Sequence, residues 1–204
     1  MEVANTFPNI TTNFSFSGWA YSTNVGTAGQ RMFCDDVNNT GGYALSIGDP
    51  GSRRVRFYSR SSNPVSLDTP VGNIVNNSWH YFTAIADTTG LTKKIYVNGV
   101  KVAIGAFVNA WGTENGNCSI AGETAGGETG NRLNGRIDEV HVAKTALSAD
   151  WILTEYNPNT AIKIHLLLFI ALLQNRLDGQ EQQIEVGILQ EIGLVELFLL
   201  QMGM

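Results

Sequence analysis

Apolar and polar residues alternate in short stretches along most of the chain, from about residue 14 to residue 143. In 14–22 (FSFSGWAYS) phenylalanines alternate with serines, and in 53–60 (RRVRFYSR) apolar residues alternate with arginines. In 79–85, one parity carries Trp79, Tyr81, Thr83 and Ile85. Clusters of Gly, Asn, Asp and Ser separate these stretches, and no long amphipathic helix intervenes. The pattern therefore predicts an antiparallel sandwich or barrel, not a parallel sheet with crossover helices.

The clearest local signal is the dipeptide Asn98-Gly99, which lies between the β-rich runs KKIYV and VKVAI. A type I′ turn requires a positive φ at both central residues, and Asn and Gly tolerate that conformation better than other residues. This segment therefore predicts a tight β-hairpin.

The segment 145–156 (TALSADWILTEY) predicts one short helix after the strands. Ser148 is a natural N-cap, and Asp150 places a carboxylate at the positive end of the helix dipole. Asn157 ends the helix, because a residue that precedes proline is pushed out of the α region. The predicted apolar stripe comprises Leu147, Trp151, Ile152 and Tyr156.

The composition fits turn-rich β structure in one sizeable domain with an appendage. Of 204 residues, 43% are hydrophobic, only 15% are charged and 22 are glycine, so uncharged side chains supply most of the polarity. The formal net charge is -5. The densest basic group, formed by Arg53, Arg54, Arg56 and Arg60, alternates with apolar residues as the solvent face of a strand does. Nucleic acid is therefore not an expected partner.

Two features bear on the cellular compartment. Cys34 and Cys118 lie far apart and outside any CxxC spacing, which argues against a zinc site. A disulfide between two strands and a pair of buried thiols are both open alternatives. The start, MEVANTFPN, has neither the basic nor the apolar region of a signal peptide. A cytosolic protein and a fragment of a longer secreted protein both fit.

Several segments together resemble the laminin-G-like jelly-roll domains of bacterial and archaeal surface proteins, which are related to pentraxins and legume lectins. The resemblance lies in 78–102 (SWHYFTAIADTTGLTKKIYVNGVKV), in 118–157, which contains GRIDEV, ALS, WI and EYN in order, and in Trp19 on an early strand. It implies an all-β, antiparallel two-sheet jelly-roll sandwich of the concanavalin A type, closed by one short helix. The strand that usually precedes the Trp19 strand is expected to be missing.

The composition changes abruptly after Asn157, which divides the chain into a domain at 1–157 and an atypical apolar tail at 158–204. The run 161–173 is too short for a membrane span and contains Lys163 and His165, so it predicts a core or interfacial helix. Reading the codons of 159–171 in a shifted frame permits a string similar to the family's usual continuation. We therefore hypothesise that the tail from about residue 159 is an out-of-frame translation.

The resemblance implies a non-catalytic binding or adhesion module, secreted or on the cell surface as part of a larger protein. A glycan is the leading partner, and a cell-surface or extracellular protein is the other. The chain has no GxSxG, HExxH or paired-glutamate strand motif, so we do not expect an enzyme. A structural spacer without a ligand site and an accessory domain of a glycoside hydrolase are the alternatives.

Glycan binding requires an exposed aromatic ring for stacking, with polar side chains that bond the hydroxyl groups. Trp111, in the loop-like segment NAWGTENGN with Asn109 and Asn115, is the leading candidate. Tyr43 and Tyr58 are the next candidates. The remaining tryptophans, Trp19, Trp79 and Trp151, occupy regular elements and are expected in or beside the core.

Asp138 is the candidate metal ligand. The resemblance implies a structural Ca²⁺ in several relatives, and carboxylate and carbonyl oxygens suit that ion. The alternative is that Asp138 and Glu139 accept backbone or Trp N–H bonds and fix the corner between the last strand and the helix.

Overall fold

The computed structural model describes residues 10, 12–35, 42–60, 62–108, 118–123 and 131–157, together with the backbone of residues 2–3. Within these residues the chain forms eleven strands and one helix. The strands are β1 (Glu2–Val3), β2 (Phe14–Ser22), β3 (Gln30–Cys34), β4 (Tyr43–Ile47), β5 (Val55–Ser59), β6 (Ser66–Asp68), β7 (Ser78–Asp87), β8 (Thr92–Val97), β9 (Val100–Ala106), β10 (Cys118–Ile120) and β11 (Gly135–Ala143). The helix α1 spans Ala149–Tyr156.

The strands form two sheets. One has six strands in the order β1-β10-β3-β4-β5-β6, and the other has five in the order β11-β2-β7-β8-β9. Neighbouring strands pair antiparallel throughout both sheets. The predicted antiparallel two-sheet jelly-roll sandwich is therefore confirmed.

Apolar side chains from both sheets meet in one core. Phe14 and Phe16 of the five-stranded sheet share a cluster with Leu45 and Phe57 of the six-stranded sheet. All four side chains are about 1% exposed. Alternate residues of a strand point to opposite faces, so this core explains the period-two pattern of the sequence. Burying each such side chain contributes about 1.5–3 kcal/mol, and the core therefore holds the two sheets together.

The first strand corrects an expectation drawn from the resemblance. β1 pairs with β10, with Glu2 opposite Ser119 and Val3 opposite Cys118, and forms the outermost strand of the six-stranded sheet. A strand thus precedes the Trp19 strand, and the expectation that it is missing was wrong. Two residues are too few to show the alternation on which the sequence prediction depended.

The predicted hairpin is confirmed. Asn98 and Gly99 have φ angles of 52° and 77°, as a type I′ turn requires. The turn is also tied to β7, because the Asn98 side-chain oxygen accepts a hydrogen bond from the Tyr81 amide at 2.9 Å. The Asn98 amide in turn donates to the Tyr81 carbonyl at 2.7 Å.

Helix α1 packs on the outer face of the five-stranded sheet. Ile152, which is fully buried, forms a cluster there with Tyr81, Ile85 and Tyr96. The predicted N-cap is confirmed, because the Ser148 hydroxyl accepts a hydrogen bond from the Trp151 amide at 3.2 Å.

A carboxylate fixes the other end of the helix to the sheet. Glu155 Oε2 accepts hydrogen bonds from the Tyr81 hydroxyl at 2.5 Å and from the Ser17 hydroxyl at 3.2 Å. Ser15, two residues before Ser17, donates to the Thr145 carbonyl at 2.6 Å and so holds the connection that leads to the helix. The outward-facing serines of β2 therefore position the helix.

A lysine side chain is buried between the sheets. Lys93 shares the inward parity of Ile95 on β8 and is 1% exposed. Its Nζ donates to the carbonyls of Pro64 at 2.6 Å and Val65 at 2.9 Å. Burial lowers the pKa of Lys93 to about 8, because the charged form loses its hydration.

Cys34 and Cys118 are both buried, and no disulfide joins them. Ser119 lies opposite Cys34, so Cys118, one residue earlier on β10, points to the other face of the sheet. This register decides between the two alternatives and excludes a disulfide between them.

The tail, 158–204, lies outside the described residues, so the predictions of an apolar helix and of an out-of-frame origin stay predictions. Across the part of the chain that the structure describes, α1 is too short to cross a membrane and no other helix is found that could.

Candidate functional site

The predicted ligand residues fall in different places. Trp111, Asn109 and Asn115 lie in 109–117, outside the described residues, so their role stays a prediction. Tyr43 and Tyr58 lie on the neighbouring strands β4 and β5 of the six-stranded sheet. Their side chains point to opposite faces of that sheet.

Tyr43 is a core residue, which corrects its assignment as an exposed ring. It is 2% exposed and belongs to the same core cluster as Leu45 and Ile47, which share its parity on β4. Its ring lies nearly parallel to Phe33, with the centroids 5.8 Å apart. Burial, together with the nearby charge of Asp35, raises the pKa of Tyr43 above its ordinary value. A ligand cannot reach this ring.

Tyr58 lies on the outward face, where three guanidinium groups surround it. Arg56 and Arg60 precede and follow it by two residues and therefore share its face of the sheet. Arg31 reaches the same ring from β3. The guanidinium carbons of Arg31 and Arg60 lie 4.8 Å from the ring centroid, and that of Arg56 lies 5.4 Å away. We call these four residues the arginine–tyrosine surface.

Short side chains on β4 leave room for this arrangement. Ala44 lies opposite Tyr58, and Ser46 lies between Arg31 and Arg56 in the register of β3, β4 and β5. Both are buried at about 1% exposure or less, so they form the floor beneath the longer side chains.

Asp49 ties the surface together. Its Oδ2 accepts hydrogen bonds from Arg31 Nη1 at 2.7 Å, from the Ser46 hydroxyl at 2.8 Å and from the Tyr58 hydroxyl at 3.2 Å. Gly48, which precedes it, has a φ of 82°, and a Cβ there would lie 2.0 Å from the Thr27 carbonyl oxygen. Only glycine can therefore occupy the position that delivers Asp49 to the surface.

Two further carboxylates hold the guanidinium groups in place. Arg31 Nε lies 3.2 Å from Glu123 Oε2, and Arg56 makes a two-point contact with Asp68 at 2.5 and 2.7 Å. Burial lowers the pKa of Arg31, but Glu123, Tyr58 and Asp49 more than offset this, so the net shift is upward. The bond to Asp68 likewise raises the pKa of Arg56. Both side chains are therefore fixed, charged donors.

The surface is suited to holding a ligand with many hydroxyl groups. It combines a half-buried tyrosine ring with the N–H donors of three arginines and with three carboxylates whose oxygens accept hydrogen bonds. The two histidines in the described part of the chain lie on the other sheet. His80 Nε2 accepts from the Val75 amide at 3.2 Å, and exposed His141 lies 3.6 Å from Glu155.

The outer face of the five-stranded sheet carries aromatic residues that the sequence prediction placed wrongly. Trp79 and Trp151 were expected in or beside the core, yet they are 42% and 57% exposed. Trp19 does pack beside buried residues, with its ring centroid 5.2 Å from Tyr81 and 5.7 Å from Tyr156. Trp79 lies opposite Tyr21, and their ring centroids are 5.8 Å apart.

Asp138 is exposed at a β-bulge of β11. Its Oδ1 accepts a hydrogen bond from the Glu139 amide at 2.9 Å, and Glu139 has a φ of 48°. Asp138 thus bonds to the backbone, as the alternative predicted, but within β11 and not at the corner between that strand and the helix. In the residues that the structure describes, no three or more His, Cys, Asp or Glu side chains form a group that could hold a metal ion. The calcium assignment stays a prediction.

A protein-family model described as the concanavalin A-like lectin/glucanases superfamily matches residues 2–153. The comparison with curated proteins gives no match.

Several solved structures are similar in fold. The carbohydrate-binding module CBM40 of a Ruminococcus gnavus sialidase, bound to α2,3-sialyllactose, has a TM-score of 0.59 at 16% identity and covers 72% of this chain and 83% of its own. A Limulus polyphemus pentraxin has a TM-score of 0.55 at 14% identity, and the match covers 75% of this chain and 73% of the pentraxin. Domains LG4-5 of mouse laminin α1 have a TM-score of 0.55 at 9% identity, and the match covers 72% of this chain and 41% of the laminin chain. At these identities the similarity establishes the fold and not a ligand.

Proposed function

The chain belongs to the concanavalin A-like lectin/glucanases superfamily, and on that basis we propose that it is a non-catalytic glycan-binding module. We place its ligand at the arginine–tyrosine surface of the six-stranded sheet. The observation that carries this proposal is the half-buried Tyr58 ring among guanidinium and carboxylate groups that are already fixed in place.

Fixed groups favour binding because less conformational entropy is lost when the ligand arrives. Tyr58 is held by Asp49, Arg31 by Asp49 and Glu123, and Arg56 by Asp68. A sugar has hydroxyl groups that both donate and accept, and these side chains offer both functions. Arginine and tyrosine are also the residue types over-represented at binding hot spots.

The charges at the surface balance. Arg31, Arg56 and Arg60 are accompanied by the carboxylates of Asp49, Asp68 and Glu123. We therefore expect hydroxyl groups, rather than a net charge on the ligand, to supply most of the affinity. The similar Ruminococcus gnavus module was solved with α2,3-sialyllactose, which supplies an acidic probe, and lactose supplies the matched neutral one.

The setting that we propose is a secreted or cell-surface protein of which this module is one part. We also propose that the module takes part in adhesion and that Asp138 binds a structural Ca²⁺. Glycan binding measured with and without a chelator tests both. A spacer without a ligand site is the competing function.

A glycan array that carries lactose, α2,3-sialyllactose and a wider set of neutral and acidic oligosaccharides tests the proposal. We expect Tyr58→Ala to weaken binding at least about tenfold, the loss of about 1.4 kcal/mol that follows when one hot-spot ring is removed. Arg53→Ala is the matched control, because Arg53 is exposed and the three guanidinium groups over the Tyr58 ring belong to Arg31, Arg56 and Arg60.

The outcomes separate the alternatives. An empty array favours the spacer. Binding that survives Tyr58→Ala but is lost in Trp111→Ala moves the site to the segment 109–117. Binding that falls when a chelator is added supports a Ca²⁺ requirement, and binding that is unchanged by the chelator argues against it.

A further inference from the structure

Three side chains form a row across neighbouring strands of the five-stranded sheet. Arg136 of β11 lies opposite Tyr21 of β2, and Tyr21 lies opposite Trp79 of β7. The guanidinium carbon of Arg136 is 5.7 Å from the Tyr21 ring centroid, and the Tyr21 and Trp79 ring planes meet at 56°. We call Arg136, Tyr21 and Trp79 the aromatic row.

The helix leaves this row uncovered. α1 packs on Tyr81, Ile85 and Tyr96, and Tyr81 is the next outward-facing residue of β7 after Trp79. Tyr81 is 2% exposed, whereas Trp79 is 42% exposed. The large ring at position 79 is therefore not explained by the packing of the helix. Exposed aromatic rings that lie together are typical of interaction sites.

Polar groups of both signs border the rings. The Arg136 guanidinium offers N–H donors, and the exposed carboxylate of Asp138, two residues further along β11, offers acceptor oxygens. At the opposite side of Tyr21, the side-chain oxygen of Asn77 accepts the Tyr21 hydroxyl at 3.4 Å. The two formal charges cancel.

We infer that the aromatic row is a second carbohydrate-binding surface, which holds a single neutral pyranose residue of a glycan. A pyranose has an apolar C–H face and a rim of hydroxyl groups, which matches an exposed indole bordered by a donor and an acceptor. The 56° angle between the rings makes a corner rather than a flat track, so it fits one sugar residue and not an extended chain. A folded protein would need a partner area near 800 Å², far more than one such corner offers.

This inference goes beyond the proposed function, because it adds a site on the other sheet and does not depend on Tyr58. The core of the sandwich lies between the two surfaces, so both can be occupied at once. Two sites would let one module join two glycan chains and raise its avidity on a surface rich in sugar.

The test is titration of the full chain against immobilised lactose, a β-1,4-linked glucose hexasaccharide and a β-1,4-linked mannose hexasaccharide. We expect Trp79→Ala to lower the affinity for at least one of these glycans about tenfold, and Arg136→Ala to lower it about threefold. The Tyr58→Ala variant should bind the same glycan as tightly as the wild type does. Trp151→Ala removes another exposed indole, at 57% exposure, and should change nothing. Trp79→Tyr keeps a smaller ring and should give an intermediate affinity even if the alanine variant folds poorly.

Several results would overturn the inference. These are a wild-type chain that binds none of the three probes, a Trp79→Ala variant that binds as the wild type does, and equal loss of the same glycan in Trp79→Ala and Tyr58→Ala. If Trp79→Ala weakens binding and Tyr58→Ala does not weaken any glycan, the aromatic row stands and the proposed site at Tyr58 fails.

Discussion

The two outer faces of the sandwich differ in what their polar and aromatic residues are bonded to. On the six-stranded sheet, Arg31, Asp49 and Glu123 have side chains only 7%, 11% and 9% exposed, and each is bonded to another member of the group. On the five-stranded sheet, α1 covers the aromatic residues that stabilise the fold, and Trp79 lies beyond it.

The difference concerns the relation between binding and stability. On the first face Arg31, which we assign to a ligand, also forms buried ion pairs, so changing it should destabilise the protein as well as weaken binding. On the second face, ligand binding is assigned to Trp79, whereas stability depends on the residues beneath the helix. The following predictions test this contrast, from the largest expected effect to the smallest.

Arg31→Met should lower the free energy of unfolding by about 3–5 kcal/mol, because it leaves Asp49 and Glu123 without their buried cation. Arg56→Met is the control on the same face, where the pair with Asp68 is 21–26% exposed and about 1 kcal/mol is expected. Urea unfolding of both variants measures the difference. Equal losses would mean that burial does not distinguish these two arginines.

The buried Lys93, which lies between the two sheets, should make the stability of the protein depend on pH. Its pKa is about 8 in the folded chain and near 10.5 when unfolded, so between these values only the unfolded chain binds the proton. The contribution of Lys93 to the free energy of unfolding should therefore rise with pH across this window, by about 3 kcal/mol in all. Below pH 8 both states are protonated and the penalty is fully present. Above about pH 9 the trend should level off and then reverse, because the raised pKa values of Cys118, Tyr43 and Tyr81 keep the folded chain protonated.

Lys93→Met is the matched variant for this pH series. The Val65 carbonyl also accepts the Ser59 amide, and the Pro64 carbonyl also accepts the Ser62 hydroxyl, so neither loses every partner. Chemical unfolding between pH 7 and 9 should show the rise in the wild type and its absence in the variant. A rise of the same size in Lys93→Met would contradict the assignment.

Glu155→Ala should cost about 2 kcal/mol, because it removes the acceptor for the Tyr81 and Ser17 hydroxyls beneath the helix. Asp150→Ala, on the exposed side of the first helical turn, is the control and should cost about 0.5 kcal/mol. Thermal unfolding reports both values. Glycan binding at Tyr58 should be unchanged in either variant, since the helix lies on the other sheet.

Trp79→Ala should cost less than about 1 kcal/mol, because the ring is already 42% exposed and its main contact is one tilted pair with Tyr21. Calorimetry on the variant gives the value. A loss above about 2 kcal/mol would show that the aromatic row is a structural element and would remove the contrast between the faces.

The sequence was sufficient to predict the elements whose cause is local. The Asn98-Gly99 turn and the Ser148 cap depend on residues within one turn of the chain, and both formed as expected. The short strand β1 was not predictable in this way, because two residues show no period and its partner lies more than a hundred positions away.

The candidate sites were harder to predict because they depend on register between distant strands. Tyr43 and Tyr58 look alike in sequence, and only the pairing of β4 with β5 shows that one ring faces the core and the other faces out. Arg31 meets Glu123, 92 positions away, which no local pattern reveals. The parity of Trp79 was visible, but its exposure depends on where a helix seventy positions later stops covering the sheet.

The helix has a consequence for the order in which the protein assembles. Its docking site is composed of Tyr81, Ile85 and Tyr96, which come earlier in the chain than Ile152. During synthesis these residues leave the ribosome first, and their apolar surface stays open to water and to other chains until the helix follows. Ile152 and Glu155 cover that surface once the helix has been synthesised and docks on the sheet. By docking on the sheet, the helix therefore also ends the period in which this apolar surface exposes the unfinished domain to aggregation.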